Sequence, residues 1–178
     1  MLKSPERLLT DEDLDLAQSY FGASHNIFEP DVILAPEGEP YLYRWYLSPA
    51  KLPDGSYPPA TIMFHIQVQS DPERPLHDHP WDNQSVILSG SYVEIVRDPT
   101  LVGSEEFTIL RSKGSVITRR AEIAHRLILP KQVPYTMTLF TAGPKVREWG
   151  FWYPDGWHHN KRHVNDRNGV STHVEEPK

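Results

Sequence analysis

Cysteine is absent from the 178 residues, which excludes disulfides, thiolate nucleophiles, zinc–thiolate knots and iron–sulfur ligation. Any metal bound by this chain must take nitrogen or oxygen donors. Positive charge is also scarce: 18 Lys and Arg stand against 24 Asp and Glu, a formal net charge of −6. The most basic short patches, Arg119-Arg120 and Lys161-Arg162-His163, read as solvated faces. A nucleic acid or an anionic membrane is therefore not an expected partner. No apolar run approaches membrane-spanning length, and Met1 to Arg7 lacks the apolar core of a signal peptide, so the expectation is a cytoplasmic protein.

What the chain has instead is punctuation, 17 prolines and 10 glycines between short alternating segments, as in a β-rich fold. One helix is predicted near the start, where Thr10 can cap Asp11-Glu12-Asp13 and where Leu14, Ala17 and Phe21 recur at helical spacing. It should end near Gly22 and pack on the outside of a barrel. Tyr41 to Leu47 reads as the first strand, and Thr61 to Gln69 alternates Ile62, Phe64, Ile66 and Val68 with His65, Gln67 and Gln69. Ser85 to Ser89 and Ser91 to Arg97 flank Gly90 as a predicted hairpin, and Phe107 to Leu110 and Ser115 to Thr118 flank Lys113-Gly114 in the same way. Arg126 to Leu129 and Tyr135 to Phe140 are expected to continue the meander. The length suits one domain, divided as residues 1–40 for the helix and an extension, 41–153 for an all-β antiparallel barrel, and 154–178 for a polar tail expected to fray. His159 and His163 in that tail are four apart and read as solvent-facing.

The densest chemistry lies in Leu76-His77-Asp78-His79-Pro80-Trp81-Asp82. Side chains two apart on a strand share a face, so His77 and His79 would project together, a geometry suited to two nitrogens on one metal ion. His125 heads a further apolar strand and offers a third imidazole, as a barrel mouth requires. One histidine in a strand is more often a hydrogen-bonded structural residue; three in this pattern point to a metal.

These residues carry a resemblance to the cupin superfamily. His77, His79 and Gly90 match the histidine and glycine positions of the first cupin motif, and Gly114 and His125 match the second, over roughly Thr61 to Phe140. The wider pattern, Tyr43-Arg44-Trp45 upstream and Trp149-Gly150-Phe151 downstream, is similar to a group of small bacterial and phage cupins. The glutamate of the first motif falls on Asn83, or on Gln84 with the longer spacing, while Asp71 replaces a glycine, and Arg120 and Glu122 replace a proline and a glycine. The resemblance implies a double-stranded β-helix, or jelly roll, with a short N-terminal helix. It also implies one divalent metal ion, iron(II) first, with zinc, nickel or manganese as alternatives, and often a homodimer.

A neutral three-histidine set resembles that of cupin dioxygenases acting on thiols or diketones, and it leaves more positive charge on the ion than a carboxylate would. A small anionic substrate, with dioxygen, is the expected partner. Asp82 and Asn83 are further candidate ligands; Asp82 could equally hold the turn or a histidine nitrogen. Arg44 and Arg147 are candidates for gripping an anion, with structural ion pairs as the alternative. Trp81 and Tyr92 are candidate lining residues. Three functions remain in view: an oxygenase, a metal-assisted isomerase or lyase of a sugar or small acid, and a non-catalytic binding cupin.

Overall fold

The computed structural model describes residues 5–21, 29–35, 37–49, 51–56, 58–72, 75–101, 106–165 and 171–173. Helix α1 spans Asp11–Tyr20. The Thr10 hydroxyl accepts the Asp13 N–H at 3.2 Å, and three acidic residues occupy the positive end of the helix dipole. The helix stops at Phe21, and Gly22 lies outside the described residues.

Twelve strands form two six-stranded antiparallel sheets. They are β1 (Asp31–Leu34), β2 (Pro40–Tyr46), β3 (Thr61–Gln67), β4 (Leu76–His77), β5 (Asn83–Ser89), β6 (Ser91–Arg97), β7 (Glu106–Ser112), β8 (Val116–Arg119), β9 (Ala124–Ile128), β10 (Thr136–Ala142), β11 (Gly150–Tyr153) and β12 (Gly156–His159). One sheet runs β1-β2-β3-β10-β5-β8 and the other β12-β11-β4-β9-β6-β7. Among the described residues no helix is long and apolar enough to cross a membrane.

The main apolar core lies on the outer face of the first sheet rather than between the sheets. Tyr43 and Trp45 of β2, Phe64 and Ile66 of β3, and Tyr135 and Met137 pack with Ala17 of α1, joined by Leu14 and Phe21. Asp13 pins the contact, because its carboxylate accepts the Tyr135 hydroxyl at 2.6 Å and the Ser89 hydroxyl at 2.8 Å. The alternation expected of this segment holds for Phe64, Ile66 and Val68, which pack in the helix-covered cluster, while Ile62 is exposed. Because successive side chains point to opposite faces, the intervening Arg44 and His65, paired in register, turn toward the space between the sheets. A smaller cluster of Ile87, Tyr92 and Ile117, with Leu127 and Leu129, fills part of that space.

Three expectations need correction. Gly90 does not close a hairpin: β5 and β6 belong to different sheets, as do β7 and β8 around Gly114. A glycine at positive φ signals a sharp turn, but pairing partners are set by distant strands, and here the chain crosses between sheets in jelly-roll order instead of meandering. The sheets also extend beyond 41–153, since β1 precedes Tyr41 and β12 follows Pro154. The segment Pro154-Asp155-Gly156 is a turn signal, and it joins β11 to β12 in register Tyr153↔Gly156. In the tail, His163–Asn165 pairs antiparallel with Ser171–His173, and the rest of the expected frayed segment lies outside the described residues.

Gly90 and Gly114 allow a direct test. Both have positive φ, 75° and 88°, but a Cβ on Gly90 would stand 2.4 Å from the Tyr135 carbonyl oxygen, whereas Gly114 has open space. Left-handed backbone costs each alanine variant about 1–2 kcal/mol. Collision with fixed backbone should cost Gly90→Ala roughly a further 1–3 kcal/mol, read as a lower urea midpoint than that of Gly114→Ala.

Candidate metal centre

His77 on β4 lies directly opposite His125 on β9, and His79 follows on the same side of the chain. The ring centroids form a nearly equilateral triangle: 5.1 Å from His77 to His79, 5.0 Å from His77 to His125 and 5.0 Å from His79 to His125. One ligand nitrogen from each lies within 4.8 Å of the others. The Nε2 atoms of His79 and His125 are 2.9 Å apart, close to the spacing of two nitrogens held at right angles at about 2.1 Å from one ion. The donor set therefore fits a single divalent ion.

His125 is oriented by Glu94, a residue the sequence reading did not single out. Glu94 is fully buried on β6, and its Oε1 accepts His125 Nδ1 at 2.9 Å. The same oxygen accepts Arg119 Nε at 2.7 Å, and Oε2 accepts Arg111 Nε at 2.9 Å. Burial alone would raise the Glu94 pKa, but the His125 hydrogen bond and the Arg119 charge outweigh it and hold the carboxyl down at about 2. An ionised acceptor keeps the His125 proton on Nδ1, so the Nε2 lone pair faces the other two histidines.

Asp78, between the two histidines, points the opposite way. It is fully buried and accepts Arg147 Nη1 at 2.6 Å, the Gly150 N–H at 2.7 Å and Trp157 Nε1 at 2.8 Å. These bonds fasten the two-residue strand β4 to the β11–β12 hairpin. The ring of Trp81 stacks beside His79 at 6.1 Å and 29°.

The histidines open onto a cavity of about 210 Å³ between the sheets, lined also by Arg44, Met63, His65, Trp81, Tyr92 and Phe140, among others. Of the residues expected to bind substrate, Arg44, Trp81 and Tyr92 line it. Arg147 does not; its guanidinium is engaged by Asp78 and stacks over Trp157 at 5.7 Å. The ion-pair alternative holds for this arginine because Asp78, stripped of water, requires a cation. Asp82 is exposed and accepts the Ala121 N–H at 2.8 Å, outside the histidine group. The Asn83 oxygen accepts Arg119 Nη1 at 3.4 Å, and Gln84 is exposed and donates to Thr118 at 3.2 Å. His159 is bonded to Glu148 at 3.3 Å, and the side chain of His163 lies outside the described residues.

His65 lines the cavity and stacks on Phe140 at 5.4 Å. Burial, reinforced by the Arg44 charge, pushes its pKa down to about 3, so it is neutral near pH 7.

No protein-family model matches the sequence, and no curated protein does. Among solved structures, a variant of oxalate decarboxylase from Bacillus subtilis is similar with a TM-score of 0.50 and 12% identity, over 74% of this chain and 30% of that one. The chain has the cupin fold. Two further structures are similar with lower scores: HppE in its iron(II) form (TM-score 0.47, 11% identity, 64% of this chain and 56% of that one) and the polyketide cyclase RemF from Streptomyces resistomycificus (0.45, 20%, 60% and 70%). The chain thus spans little more than half of HppE and under a third of the decarboxylase. At these identities the likeness is one of fold.

The depressed pKa of His65 has a sign that can be checked. The unfolded chain takes up a proton on this histidine below about pH 6.5, while the folded protein resists until about 3. Its contribution to stability is complete above 6.5 and is lost progressively as pH falls toward 3. Urea midpoints measured across that window should fall less steeply for His65→Gln than for the wild type.

Proposed function

We propose that this cupin is a metal-dependent enzyme in which His77, His79 and His125 hold one divalent ion, and that it acts as a mononuclear non-haem dioxygenase on a small anionic metabolite. The convergence of three imidazoles, one aimed by a buried carboxylate, carries the reading. Iron(II) is the first choice, with zinc, nickel or manganese compatible with the same donors. When bound, iron(II) would supply the redox chemistry for reaction of a substrate with dioxygen. Three neutral donors, with Asp82, Asn83 and Gln84 engaged elsewhere, leave positions for exogenous ligands, which separates a catalytic from a closed structural site. Trp81, Phe140 and Met63 restrict water beside the histidines, and Arg44 supplies a cation for an anionic substrate.

Metal-assisted isomerase or lyase chemistry on a sugar or small acid is the alternative on the same donors, with the ion polarising a carbonyl or a histidine acting as base. A non-catalytic binding role is favoured by no particular contact. We further propose a cytoplasmic homodimer: β7 is an edge strand exposing Phe107 and Leu110, the latter 66% accessible, the kind of edge that another chain can cover.

Protein purified without a histidine tag should carry one equivalent of metal, and reconstitution should raise its melting temperature. His77→Ala and His125→Ala should each abolish stoichiometric binding, while Asp82→Ala retains it. Wild-type protein that neither binds nor is stabilised by iron, zinc, nickel or manganese would remove the reading. Oxygen uptake by the iron(II) form, and not the zinc form, then separates the dioxygenase from Lewis-acid chemistry.

A further inference from the structure

The two ends of the cavity differ in chemistry. At one end stand the three histidines. The Phe140 ring lies 6.4 Å from that of His79 and is stacked on that of His65 at 5.4 Å, so it links the histidine group to His65 and its cross-strand partner Arg44. The Arg44 guanidinium lies over the Tyr46 ring at 4.9 Å, and its carboxylate partner Asp31 is 3.5 Å away with its side chain 58% exposed, an ion pair of the kind that contributes little. Its Nε is buried with no hydrogen-bond partner among the described residues, as is His65 Nε2 beside it. Adjacent buried polar atoms left unsatisfied in one wall call for an outside partner.

The other charges of the lining are already used. Asp71 spends one oxygen on the Tyr41 hydroxyl and the other on the Leu127 N–H at 2.8 Å, and Arg119 is held by Glu94. Arg44 is therefore the cation an entering ligand would meet. The lining also includes apolar Leu42, Met63, Leu127 and Phe140 alongside polar Tyr41, Gln67, Ser85 and Thr138. The volume of about 210 Å³ equals roughly seven waters of liquid, which suits a ligand of about ten non-hydrogen atoms.

We propose that the cavity takes a compact monocarboxylate whose acid group sits on Arg44 beside His65, whose apolar body lies along Phe140, and whose far end reaches the histidines. The acid then serves as a handle and does not occupy the metal positions. An uncharged imidazole beside Arg44 adds a hydrogen-bonding nitrogen without a second cation, and the paired donors of the guanidinium match a carboxylate. The role of the far end rests on the metal-site reading above; the carboxylate grip does not.

Calorimetric titration of the metal-free protein with phenylpropionate and with its primary amide tests the grip, because the two probes differ in charge and hardly in shape. The acid should bind at least about tenfold more tightly, and added salt should weaken the acid alone. Arg44→Met should remove the difference and Arg44→Lys should keep part of it. Equal binding of the two probes by the wild type, binding of neither, or a preference that survives Arg44→Met overturns the proposal. The wild-type comparison stands even if the variants do not fold. His77→Ala should keep the acid preference while losing metal, so the failure of one reading is separable from failure of the other.

Discussion

Everything in this molecule depends on which side of the first sheet is greasy. Tyr43, Trp45, Phe64 and Ile66 turn outward and are sealed by α1, so the strand rule that alternates faces directs Arg44, His65 and Gln67 inward. A sandwich of two sheets normally fills the gap between them with apolar side chains. Here much of that work is done on the outside, and the gap is free to hold polar groups and an open cavity. The N-terminal helix is therefore part of what makes the site possible, although none of its side chains reaches it.

The polar interior is stabilised by matched charge. Glu94 is fully buried, and left alone it would be protonated. Arg111, Arg119 and His125 hold it ionised, and in return its charge fixes the tautomer of the one histidine contributed by β9. Asp78 repeats the logic just after β4, with Arg147, Trp157 and the Gly150 amide as its three donors. The two carboxylates act from different directions, one aiming a ring and the other anchoring the segment that bears its two companions.

Much of this was legible in the sequence because it rests on local periodicity. The spacing of His77 and His79, the alternation of Thr61 to Gln69 and the Thr10 cap all follow from strand and helix geometry within a few residues. Pairing does not: Gly90 announces a turn in either a hairpin or a sheet crossing, and only β10 and β8 on one side, with β9 and β7 on the other, decide between them. Glu94 carried a signal, a lone carboxylate in the strand Tyr92-Val93-Glu94-Ile95-Val96 on the same face as Tyr92. Its partners Arg111, Arg119 and His125 were separated from it by 17 to 31 residues and could not be inferred. Arg44 and Arg147 looked alike, each flanked by aromatics or near them, and only the position of Asp78 distinguishes the cavity arginine from the buried ion pair.

The brevity of β4 has a temporal consequence. Its ladder contacts are His77 to His125 and Phe151, and Leu76 to Trp152, so two residues must be steadied by chain that is made much later. The three donors to Asp78, from Arg147, Gly150 and Trp157, lie 69 to 79 residues further along the chain. The histidine pair is thus translated well before the chain that steadies it.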